Sequence, residues 1–151
     1  MQLTRAADYA VRVMIHLATL PAHERASLPA LAQATGTPES FLSKVLQALS
    51  RAKLIKSLRG QSGGFEILPS GRHASIRQVI EAIDGPIHLN LCLISQHACG
   101  RSKCCPAHHV WEEAERAMTN VLSSAVILEM AQRTSSQFPP CASSPIPRLK
   151  P

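Results

Sequence analysis

"LPALAQATGTPESFLSKVLQALSRAKLIKSLRGQSGGFEIL", residues 28–68, decides the fold. Pro29 suits the first turn of a helix and Gly36 its stop. Thr37 then offers an N-cap, Pro38 a first helical position, and Glu39 a negative charge near the positive helix end. The helix that follows runs from Pro38 to Ala52, with Phe41, Leu42, Val45, Leu46 and Leu49 expected inward. Two helices joined by a tight Gly-containing turn are a helix-turn-helix. The period then changes: IKSLRGQSGGFEIL reads as strand, Gly-rich turn and strand. Gly60, Gly63 and Gly64 give the tip its backbone freedom. A basic hairpin directly after a recognition-type helix is a wing, and Pro69-Ser70-Gly71 closes the unit.

Upstream, Leu3, Ala7, Ala10, Val11, Met14, Ile15 and Ala18 recur at helical spacing and form one apolar stripe over residues 3–19. Arg5, Asp8, Arg12 and His16 line its other face. Downstream, IRQVIEAI (76–83) is a short amphipathic helix stopped by Asp84-Gly85-Pro86. From about Ala107 a longer helix is expected to about Arg133, with a stripe of Val110 or Trp111, Ala114, Met118, Val121, Leu122, Ala125 and Leu128. A helix this long in a chain of 151 residues has more apolar surface than one small domain covers, so pairing with a second copy is its natural outlet. The fold class is therefore mainly α: a winged helix-turn-helix with a small β-hairpin wing and a long C-terminal dimerisation helix. The divisions are 1–73 for the DNA-binding domain, 74–106 for a linker helix and cysteine-rich loop, 107–134 for the dimerisation helix and 135–151 for a Pro- and Ser-rich tail expected to be disordered.

The charge is uneven. The net charge is +6; residues 1–72 hold nine Lys or Arg against four acids, and residues 73–151 seven against six. Between Ser40 and Phe65 lie Lys44, Arg51, Lys53, Lys56 and Arg59 with no acid, a stripe that attracts polyanions. Ser40, Ser43 and Lys44 sit early in the recognition helix, where base edges and phosphates are met. Arg59 at the wing root is placed to enter the minor groove or grip phosphate, and Gly60 and Gln61 shape the tip. No apolar run approaches membrane-spanning length and no signal peptide opens the chain, so the expected compartment is the cytoplasm, with no membrane partner.

Residues 92–109, CLISQHACGRSKCCPAHH, hold four of the five cysteines. In a reducing compartment such a cluster binds metal or senses redox state more often than it forms bridges. Six residues separate Cys92 from Cys99, five separate Cys99 from Cys105, and Cys104 adjoins Cys105. A structural zinc site usually shows two tight pairs. The looser spacing, with Gly100, Ser95 and Ser102 between, lets a loop wrap something wider than one ion, such as an iron–sulfur cluster. Arg101 and Lys103 favour thiolates. Zinc and a thiol/disulfide switch remain open from the residues alone. So does a thiol enzyme or an iron–sulfur carrier, although no substrate-pocket signature accompanies the cysteines.

Four motifs in order carry a resemblance: MQLTRAADYAVR, FLSKVLQAL, LRGQSGGFEI, and C-x6-C-x5-C-P-A-H followed by Trp111. Together they resemble the IscR/NsrR/RirA-type family of iron–sulfur-cluster winged-helix transcriptional regulators, over residues 1 to about 130. The resemblance implies no enzyme but a homodimeric regulator, acting as a repressor on a palindromic duplex operator and sensing iron, redox or nitric oxide status. It implies a cluster held by Cys92, Cys99 and Cys105. The fourth ligand differs among relatives: a histidine separated from the third cysteine by two residues matches His108 and goes with a 2Fe–2S cluster, whereas a first-helix aspartate matches Asp8 and goes with 4Fe–4S. LNLCLIS and CCPAHHVW resemble the NsrR/RirA side and favour 4Fe–4S. Cys104, an extra thiol, is a second candidate for the third ligand.

Overall fold

The structure, a computed structural model, describes residues 3–60, 63–95, 98–101 and 104–137, the last four as backbone only. Helix α1 (Arg5–Thr19) is its axis. Thr4 caps it by accepting the Ala7 N–H at 3.1 Å. Its buried face is Ala7, Tyr9, Ala10, Val13, Met14, Leu17 and Ala18. Val13 and Leu17 join the core in place of Leu3, which stays exposed, while Val11 and Ile15 are half-buried. At the other end, Arg72 donates from Nη1 to the Ala18 carbonyl (3.1 Å) and from Nη2 to that of Leu20 (2.8 Å), satisfying carbonyls that a helix leaves open.

Helix α2 (Leu28–Thr35) starts on Ser27, whose hydroxyl accepts the Ala30 N–H at 3.3 Å, and ends on Gly36 in the left-handed conformation, φ 65°. Helix α3 (Glu39–Arg51) starts one residue later than expected. Pro38 is its cap, through its carbonyl to the amides of Phe41 and Leu42. Thr37 is instead buried, its hydroxyl 2.9 Å from that of Thr35. Phe41 corrects the inward expectation: it is 46% exposed and meets the Tyr9 ring edge-on, centroids 5.9 Å apart.

Strands β1 (Ile55–Leu58) and β2 (Gly64–Ile67) form the antiparallel wing, Ile55 opposite Ile67 and Leu58 opposite Gly64. Ala26 adds a single-residue third rung by exchanging both backbone hydrogen bonds with Phe65. Pro69–Arg72 is one turn of helix, α4, rather than a simple turn. Gly71 is buried in it, and a Cβ there would lie 2.1 Å from the Leu54 carbonyl oxygen. Helix α5 (Ile76–Asp84) opens on a capping box between Ser75 and Gln78.

The single helix expected from about Ala107 to Arg133 is two. After the short turn α6 (Leu91–Ile94) come α7 (His108–Ser124) and α8 (Ile127–Gln137). At Ala125–Val126 the chain is extended and pairs with the 74–76 strand-like turn: Ile76 N–H to the Ala125 carbonyl and Ile127 N–H to the Ala74 carbonyl, both 2.9 Å. Burial drives the break. Ile127 (fully buried) and Ala131 enter the core against α1, out of phase with the outer face of α7. On α7, Met118 and Leu122 pack inward near Ala7, Ile80 and Ile87, while Val110, Trp111 and Val121 are 59%, 41% and 68% exposed. No described helix is long and apolar enough to cross a membrane. Residues 135–137, expected in the tail, instead continue α8; the rest of the tail, with Cys141, and Gln61 lie outside the described residues.

Candidate functional site

Two regions carry chemistry. The first is the face formed by α3 and the wing. Ser40 and Lys44 stand exposed on the first two turns of α3, and Ser43 is half-buried. Ser43 and Arg59 line one groove of about 470 Å³ between helix and wing, together with Gln47, Ser50, Arg51 and Ser57. The Ser50 hydroxyl is buried there without a hydrogen-bond partner. Gly60 is exposed at the tip with φ 108°. Ser50 and Ser57 escaped the sequence reading because a serine carries no periodicity or charge signal; only the register of the hairpin against the helix brings them in.

The basic stripe is less one-signed than its sequence. Glu66 on β2 is a buried carboxylate facing an imidazole and two cations: His23 Nδ1 at 3.0 Å, Lys56 Nζ at 3.2 Å and Arg25 Nε at 3.7 Å. The His23 hydrogen bond first, then Lys56, holds its carboxyl below the ordinary range, against the opposing effect of burial. Lys56 is thus engaged across the hairpin, opposite Glu66 in register.

The second region is a cleft of about 580 Å³ between α5, residues 86–95 and α7. Cys92 and His108 both line it, as do His88, Glu112 and Glu115. Cys92 rides on α6, which Asn90 caps by accepting the Leu91 N–H at 2.9 Å. His108 opens α7, its N–H donated to the Cys105 carbonyl at 3.0 Å. His108 Nε2 lies 3.5 Å from Glu112 Oε1, and its Nδ1 is buried with no partner. A buried ring nitrogen without a partner is disfavoured unless something binds there. Cys92, Cys99 and Cys105 are half-buried, Cys104 is exposed, and all four are free thiols. Cys104 Sγ approaches the Arg101 carbonyl at 3.7 Å, and the amides of Cys104 and Cys105 both donate to that oxygen. Cys99, Cys104 and Cys105 do not line the cleft. Among the described residues no three Cys, His, Asp or Glu side chains are already gathered closely enough to hold an ion. Asp8 stands apart, on the exposed face of α1, in an i,i+4 ion pair with Arg12 at 2.7 Å.

The donor chemistry fits an iron–sulfur cluster. Reduced thiols on a loop-rich segment, one of which (Cys92) shares a cleft with an imidazole bearing an orphaned nitrogen, are soft and borderline ligands.

Known proteins bear on both regions. A family model, Rrf2, described as an iron-dependent transcriptional regulator, matches residues 3–133. A proposed HTH-type transcriptional regulator of Mycobacterium tuberculosis (strain CDC 1551 / Oshkosh) is 39% identical over 87 residues, 58% of this chain and 54% of that protein. The chain thus spans about half the length of this curated relative. Among solved structures, CymR, described as the global cysteine regulator of B. subtilis, matches with a TM-score of 0.72 at 24% identity, over 89% of this chain and 98% of that one. T. potens IscR matches with a TM-score of 0.70 at 22% identity, over 92% and 93%. These likenesses show the fold. The chain belongs to the Rrf2 family.

Proposed function

We propose that the protein is a DNA-binding repressor, not an enzyme, whose grip on a palindromic operator is set by an iron–sulfur cluster responding to iron, redox or nitric oxide status. The observation that carries this reading is the cleft lined by both Cys92 and His108, with its orphaned Nδ1, attached directly to a winged helix. In it, Ser40, Ser43, Lys44 and Arg59 contact the duplex, with Gly60 and Gln61 shaping the wing tip. Cys92, Cys99 and Cys105 hold the cluster. His108 is the fourth ligand favoured within one protomer; Asp8, balanced by Arg12, is the candidate donor to a partner's cluster. The exposed row Val110, Ala114, Ala117 and Val121 on α7, at i, i+4, i+7 and i+11, is the proposed homodimer seam.

A bound cluster supplies an iron- and redox-responsive cross-link between cysteines. The rest follows from this chain's residues. Ile87 is buried against Ala7 and Ile80, so the root of the cysteine segment rests on the first helix of the DNA-binding unit. Ordering the segment therefore biases how two recognition helices are spaced in the dimer.

Anaerobic purification with absorption spectrum, iron and sulfide content, then Mössbauer spectroscopy, tests the cofactor and its nuclearity. Titration of duplexes selected from a random library tests the operator. A colourless, iron-free protein that takes up zinc stoichiometrically refutes the cluster.

A thiol switch is the second reading. Its support is the exposed Cys104 beside Cys105, and the structural likeness to a protein described as a cysteine regulator. Operator affinity that changes with thiol oxidation in iron-free protein favours it.

A further inference from the structure

His108, Glu112, Glu115 and Thr119 lie at i, i+4, i+7 and i+11 on α7, and all four line the cleft that contains Cys92. Glu115 does something the others do not. Its Oε2 accepts the backbone N–H of Leu89 at 2.8 Å, across 26 residues of chain. Its Oε1 lies 3.5 Å from His88 Nδ1, and its side chain is only 20% exposed. An amide in a partly buried connecting segment needs a partner, and here a carboxylate on another element supplies it.

We propose that Glu115 is a positioning residue: it clamps the root of the cysteine segment to α7 and thereby fixes where Cys92 stands relative to His108. The chain of contacts is short. Leu89 is held by Glu115; the next residue, Asn90, caps α6; and Cys92 is the second residue of α6. On the near side Ile87 is buried against Ala7 and Ile80, with Met118 and Leu122 of α7 beside it. Residues 87–89 are thus pinned by apolar packing on one side and by a charged acceptor on the other. Without the acceptor, Ile87 still anchors the segment, but Leu89 to Cys92 lose their fixed distance from the helix that bears His108. The consequence for a cofactor rests on the cluster reading; the clamp itself does not.

The test uses the full chain and three variants. Glu115→Leu removes the acceptor and keeps bulk, Glu115→Gln keeps an acceptor oxygen, and Glu113→Ala changes an exposed acid on the same helix. In the metal-free protein, amide exchange at Leu89 is expected to quicken by about tenfold or more in Glu115→Leu and to stay near wild type in the other two. Alkylation of Cys92 is expected to quicken several-fold relative to the exposed Cys104 in Glu115→Leu alone. In anaerobically loaded protein, loss of visible absorption to a chelator quickens in the same variant and is restored by Glu115→Gln. Unchanged Leu89 exchange in Glu115→Leu overturns the clamp. So does a general loss of protection across α5 and α7, which marks Glu115 as a core residue instead. A wild-type protein that never acquires visible absorption refutes the cluster, while the exchange and alkylation measurements still decide the clamp.

Discussion

Thr4 and Asp84, eighty positions apart, are joined by a 2.7 Å hydrogen bond from the Thr4 hydroxyl to Asp84 Oδ1. The Thr4 N–H also reaches Oδ2 at 3.4 Å, and the same hydroxyl oxygen accepts the Ala7 N–H. One side chain therefore caps α1 and latches it to the last residue of α5, where the chain turns toward the cysteines. Thr4→Ala is expected to lower stability by about 1–2 kcal/mol, read from urea denaturation, with Thr4→Ser recovering most of it. A loss no larger in Thr4→Ala than in Thr4→Ser counts against the double role.

Gly71 packs so closely on β1's approach that a methyl group would meet the Leu54 carbonyl oxygen at 2.1 Å and Met14 Cε at 2.9 Å. The obstacle is backbone, which cannot step aside as a side chain can. Gly71→Ala is expected to lose about 3 kcal/mol or more, seen as a large fall in the thermal midpoint. A midpoint within a few degrees of wild type shows that α4 shifts freely.

Acid should destabilise the wing through Glu66. Its carboxyl lies below its ordinary value of 4.5 in the folded chain, so between the two values the unfolded chain binds more protons. Its contribution is complete above 4.5 and drains away as pH falls through the lower, folded value. Half-buried His16, lowered from 6.5 by burial, adds a loss that begins as pH falls through 6.5. Urea midpoints between about pH 3 and 7 should fall more steeply for wild type than for Glu66→Gln below 4.5. Parallel curves refute the assignment to Glu66.

Arg59→Ala is expected to weaken duplex binding by about 1–3 kcal/mol at matched salt. Its place in the groove with Ser43 makes that loss a property of the proposed interface. Binding unchanged in fluorescence anisotropy removes the wing from it.

Val121 is 68% exposed, so a charge there leaves the monomer's core intact. Val121→Glu should raise the dimer dissociation constant by at least roughly thirtyfold, by sedimentation. A dimer indifferent to the change places the seam elsewhere.

The winged-helix unit was legible because its signals are local: the Gly36 stop, Pro38 at the head of α3, and the change of period after Ala52 all depend on neighbours in sequence. The break at Ala125–Val126 was not. Ala, Val, Ile and Leu there continue a helical stripe, and only the tertiary pull of the α1 groove on Ile127, together with the bridge to Ser75, turns the chain. Phe41 misled for a related reason, since a large apolar side chain on a helix reads as core when its partner, Tyr9, lies on another helix. At the cleft, Cys92 and His108 were visible as residue types. His88 and Glu115 were not, because an isolated histidine and one glutamate among three (Glu112, Glu113, Glu115) carry no spacing signal.

The bridge of Val126 to Ser75 also determines how α7 can behave. One end of that helix is pinned to the body by the 74–76 backbone, and its middle is held at Leu89. A rod secured at two points keeps its direction relative to the body. In the proposed dimer, the angle between the two copies would then be inherited from each protomer's own backbone rather than from any give in α7.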